Sequence, residues 1–172
     1  MNQKQTRNMV IAALCVALAL LLPFLTGQIP QIGSMLSPMH IPVLLCGLIC
    51  GWPWGLLVGL VSPILRSFLF GMPPLMPMAL AMALEMAAYG AAAGLIYKAL
   101  GKKPLNIYIA LIAAMLIGRA VFGLAMLALL GLSGGSYTLQ AFLAGAFIKA
   151  WPGIILHILI IPPIVMAVEK IK

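Results

Sequence analysis

Four charge-bearing side chains, Arg66, Glu85, Arg119 and Lys149, lie inside stretches that are otherwise apolar. An ionisable group embedded in a bilayer costs about 2.5–3.5 kcal/mol even on a mild insertion scale, so each marks a functional site by default. On the helices set out below, a rise of 1.5 Å per residue puts Arg66 about 9 Å and Glu85 about 12 Å below the outer ends of their helices. The same count gives about 15 Å for Lys149 and about 18 Å for Arg119. All four therefore fall in one slab of the outer half of the membrane. Three cations there face one carboxylate, and unmatched buried positive charge calls for an anionic or acceptor-rich ligand. The plainer reading, that Glu85 pairs with one arginine only to fix helix packing, leaves the other cations unexplained. Tyr89 follows Glu85 by four residues on the same helix face, where it adds a hydroxyl or a stacking ring, or simply packs.

Much other chemistry is excluded. Glu85 and Glu169 are the only acidic residues and there is no Asp, which removes a close carboxylate pair, an EF-hand and a Walker-type magnesium site. No G-x-S-x-G, H-E-x-x-H or G-x-x-x-x-G-K-[ST] motif occurs. His40 is expected at the outer surface, and His157 about 27 Å down its helix, near the cytoplasmic end, so no metal site is expected. The twelve methionines are spread through the chain as pliable filler. Cys15, Cys46 and Cys50 lie in apolar runs as small buried hydrophobes rather than a redox pair. The sequence points to no enzyme and no cofactor.

The elements that must hold these residues belong in a bilayer. Of 172 residues, 65% are hydrophobic and 7% charged, against about half and a quarter in soluble domains. A span needs about 20 apolar residues. Helices are expected over 9–26, 40–51, 54–71, 76–97, 105–131 and 139–168, with loops at 27–39, 72–77 and 132–138. The turn Gly51-Trp52-Pro53-Trp54-Gly55 divides the second helix from the third; the second is short, so 40–71 has a re-entrant alternative. Ala17-Leu18-Ala19 has the form of a signal-peptide cleavage site but lies within the first apolar run, which reads as uncleaved.

The net charge of +8 sits mainly at the chain ends and in one loop, the pattern of membrane topology rather than of nucleic-acid binding. Placing Lys4, Arg7, Lys98, Lys102, Lys103, Lys170 and Lys172 in the cytoplasm requires even numbers of spans on either side of the Lys98–Lys103 loop. The expected fold is an all-α membrane protein, one domain over 1–172, forming a compact bundle of six transmembrane helices with both termini inside. The Gly- and Pro-bearing loops then share the outer face, where binding is expected. Ala13 and Ala17, and Gly145, Lys149 and Gly153, recur at four-residue spacing and make smooth faces for close helix approach.

The chain resembles the substrate-binding S-components of bacterial energy-coupling factor (ECF) vitamin transporters. The likeness rests on the size, the six helices with a short second one, Ala13-x-x-x-Ala17, the stretch Ser37-Pro-Met-His-Ile-Pro-Val-Leu-Leu-Cys-Gly-Leu-Ile-Cys-Gly-Trp-Pro-Trp-Gly55, Arg66 and Gly71-Met-Pro-Pro74. It implies a multi-pass protein of the bacterial cell membrane that binds a vitamin or precursor from outside. It also implies a transmembrane coupling subunit contacting Ala13 and Ala17, and two ATPase subunits. The charged slab (Arg66, Glu85, Tyr89, Arg119 and Lys149) is the expected substrate site. The charge excess suits pantothenate, a thiamine precursor or pyridoxine. An autonomous ion-coupled transporter is the alternative, with Glu85 as its coupling carboxylate, although no inverted repeat is visible.

Overall fold

The computed structural model describes residues 2–26, 35–101, 103–132 and 151–170. The expected loop segments 27–34 and 133–138, helix residues 139–150 with Gly145 and Lys149, and the cations Lys102 and Lys172 lie outside them. The described chain is helical: α1 Gln3–Leu21, α2 His40–Cys50, α3 Trp52–Phe70, α4 Leu80–Leu100, α5 Pro104–Leu132 and α6 Trp151–Lys170. A short 3-10 turn, Leu22–Thr26, extends α1, and an irregular turn, Leu75–Ala79, leads into α4.

Among the described residues, five helices are long and apolar enough to cross a membrane, and α2 is not. Its 11 residues cover about 16 Å of a hydrocarbon core about 30 Å thick. The six expected spans thus become five span-length helices and one short internal helix. Gly51 causes the break: at φ 98° it ends α2 and starts α3, a conformation a side chain would strain. Its N–H still bonds the Gly47 carbonyl at 3.1 Å, and Pro53 opens α3 where a missing N–H costs nothing.

Packing is closest where α2, α3 and α4 meet. In lipid no hydrophobic effect drives helices together, so close backbone approach over small residues must do so. A Cβ on Gly55 would lie 2.6 Å from both the Gly47 Cα and the Gly90 carbonyl oxygen. One on Gly94 would lie 2.5 Å from the Trp52 nitrogen. This seam leaves α2 the most enclosed helix, with Pro42, Val43, Leu44, Cys46, Gly47 and Leu48 all buried.

The bundle has a basic end and a loop end. Lys98 and Lys103 lie exposed near the turn from α4 to α5, where Asn106 Nδ2 donates to the carbonyls of Leu100, the last residue of α4, and of Gly101 just after it, at 2.7 Å each. There the Tyr97 hydroxyl donates to Glu169 Oε2 at 2.6 Å, tying α4 to α6. At the loop end, Gly71 closes α3 in the left-handed conformation, φ 69°.

Candidate functional site

Two depth counts converge on one level of the bundle. Glu85 and His157 each lie twelve residues before the Tyr97–Glu169 tie, about 18 Å from the basic end on parallel helices. At that level α2 begins, with His40. Its Nε2 lies 3.7 Å from Glu85 Oε2, and Arg119 Nη1 of α5 lies 3.2 Å from Glu85 Oε1. The Tyr89 ring meets the His40 ring edge-on at 5.1 Å between centroids, and the His157 ring lies offset from His40 at 6.2 Å. The Tyr89 hydroxyl reaches Glu85 and Arg119. Four helices thus contribute to one cluster, in which His40, Glu85 and His157 are only 2–4% exposed.

Local sequence sets each position. Tyr89 fits because its neighbour on α5 is Gly118, where a Cβ would lie 2.7 Å from the tyrosine Cδ1. Arg119, next in sequence, is thereby brought onto the carboxylate. His157 is fixed from the loop end: its Nε2 lies 3.3 Å from the Ser37 carbonyl. One turn earlier, Gly153 lets the same segment come close, a Cβ there lying 2.5 Å from the Met35 carbonyl oxygen.

This arrangement corrects two expectations. His157 does not lie near the basic end, and His40 is not at the surface; they are neighbours. The expected depth of His157 was counted from residue 139 as the outer end of its helix, whereas Gly153 already packs against Met35 at the loop end. His40 is internal because α2 is too short to reach the surface from its basic-end turn. Sequence reasoning therefore missed both histidines as site residues. The available signal was the one used for the other four: an ionisable side chain in an apolar run.

The structure brings Glu85, Tyr89 and Arg119 together and places Arg66 elsewhere. Arg66 Nη1 donates to the Leu20 carbonyl at 2.6 Å, and its guanidinium sits 5.3 Å from the ring centroids of both Phe24 and Phe70. In the 3-10 turn after α1 the Leu20 carbonyl would be served by residue 23, which is a proline without an N–H. Arg66 fills that vacancy. Lys149 lies outside the described residues, so the positive excess expected of the slab is not gathered in the described cluster.

Several buried polar atoms of the cluster have no hydrogen-bond partner among the described residues: His40 Nδ1 and Nε2, His157 Nδ1, Glu85 Oε1 and Arg119 Nε. The Arg119–Glu85 contact is close enough for an ion pair but is not aligned as a hydrogen bond. Native proteins leave few such groups unmet, which makes this concentration of them the candidate site of the described bundle. Among the described residues no three His, Cys, Asp or Glu side chains are arranged to hold a metal ion.

The family model for the ECF transporter substrate-specific component matches residues 7–165. The chain belongs to that family. No curated protein and no solved structure matches it. The S-component is accordingly a multi-pass membrane protein from a family of transport subunits, and its buried cluster spans four of the helices within the matched region.

Ala13 and Ala17 of the S-component lie exposed on α1, on the side that also exposes Val10, Leu14 and Leu21. The buried side of α1 carries Asn8, Ala12, Cys15 and Ala19. The two alanines take no part in the core of the bundle.

Proposed function

We propose that this S-component is the high-affinity binding subunit of an ATP-driven importer for a vitamin or vitamin precursor in a bacterial cell membrane. The loop end faces outside and both termini lie in the cytoplasm, as the cations near the basic end require. Substrate enters from the loop end and is held by Glu85, Tyr89 and Arg119, joined by His40 and His157. A transmembrane coupling subunit docks on α1 at Ala13 and Ala17, and two ATPase subunits supply the energy. The observation that carries this reading is the set of unpartnered buried polar groups at mid-depth in a chain of this family.

The test separates binding from coupling. Ala13→Trp and Ala17→Trp each place a large ring on an exposed lipid-facing surface, far from the cluster. Uptake in cells should fall to background while the purified variants bind substrate with unchanged affinity. Normal uptake by both variants would move the coupling surface away from α1.

A further inference from the structure

We infer that the buried cluster selects an uncharged, planar nitrogen heterocycle carrying several hydrogen-bond donors, such as amino and hydroxyl groups, and discriminates against an anion. The inference rests on the reading that this cluster is the substrate site. It departs from the charge count along the sequence, which calls for an anionic or acceptor-rich ligand.

Charge is balanced in the described cluster. Arg119 stands on Glu85, Arg66 is engaged at Leu20 between two phenylalanine rings, and the remaining members are imidazoles and a phenol. With neutral imidazoles, an anion placed here would meet Glu85 as well as Arg119 and gain little over water.

Hydrogen-bond polarity gives the rest. His157 Nε2 faces a carbonyl, that of Ser37. A carbonyl only accepts, so Nε2 carries the hydrogen and Nδ1 of the neutral ring is left as an acceptor. His40 Nε2 faces Glu85 Oε2, so its hydrogen belongs on that side and its Nδ1 is also an acceptor. With Glu85 Oε1, the site presents three unmet acceptors. Apart from the His40 N–H aimed at Glu85, the unmet donor is Arg119 Nε. A complementary ligand brings donors for the two imidazoles and the carboxylate, and one acceptor, such as a ring nitrogen, for Arg119. Flatness follows from the company: the Tyr89, His40 and His157 rings already pack edge-on and stacked on one another, and a flat π-system joins such a group best.

The experiment is calorimetric titration of the purified full chain in detergent with three probes. These are the hydroxymethyl-aminopyrimidine precursor of thiamine, pyridoxine and pantothenate. At least one of the two heterocycles should bind at one per chain, at least about tenfold more tightly than the carboxylate, the difference expected from one well-made hydrogen bond to a charged group. Glu85→Gln exchanges an acceptor oxygen for a donor amide and should weaken the heterocycle about ten- to a hundredfold, with pantothenate no weaker. His157→Leu should also weaken the heterocycle, and an unchanged melting temperature shows that each variant is folded. Tighter binding of pantothenate would overturn the inference while leaving the binding-subunit reading standing. Unchanged heterocycle affinity in both folded variants, or no binding of either heterocycle by the native chain, would also overturn it.

Discussion

Arg66 and Arg119 carry the same guanidinium into the same bundle, and the backbone around each decides its use. Arg119 follows a glycine that admits the Tyr89 ring, so its side chain reaches Glu85. Arg66 lies where α1 runs into a proline-bearing turn, and the orphaned Leu20 carbonyl takes it. Both are equally conspicuous in the sequence as cations in apolar runs. What separates them, a vacant carbonyl on another helix, depends on tertiary contact and on Pro23 occurring in a 3-10 turn. Arg66→Lys keeps the charge but loses the planar group that lies against Phe24 and Phe70. It should destabilise the protein by about 1–2 kcal/mol, seen as a lower melting temperature in detergent, with ligand affinity within about twofold of native. A large affinity loss with an unchanged melting temperature would place Arg66 in the binding site.

At the scale of elements, hydropathy and the Gly51–Gly55 turn were enough to place the helices of the described residues, because apolar length and strong breakers are local properties. The depth of α2 and the register of α6 were not legible. Both depend on close approaches between segments far apart in sequence: Gly47, Gly55 and Gly90 at one point, and Gly153 against Met35 at the other. A glycine announces permission for contact without naming the partner. Consequently His40 and His157, 117 residues apart in sequence, gave no sign of being neighbours. The orientation of these elements is testable in a background whose three native cysteines are replaced by serine or alanine. A single cysteine at exposed Met72, at the loop end, should react with an impermeant maleimide added outside intact cells. One at exposed Lys103, at the basic end, should react only after the membrane is opened. Labelling of Lys103→Cys in intact cells would contradict a cytoplasmic basic end.

For the whole molecule, composition placed the chain in a membrane and span counting made it helical, and the family match agrees with the resemblance read from its motifs. On the function proposed above, such a chain captures a ligand but cannot concentrate it. The buried cluster has one carboxylate, Glu85, already facing a guanidinium, which suits holding a ligand better than exchanging a coupling ion. The most direct measurement is ligand accumulation in sealed liposomes containing the S-component alone, with proton and sodium gradients imposed in either direction. A parallel set carries the coupling and ATPase subunits with ATP on the cytoplasmic side. The chain alone should show saturable binding without accumulation, and accumulation should occur only in the complete, ATP-supplied vesicles. Gradient-driven accumulation by the chain alone would contradict the proposed function.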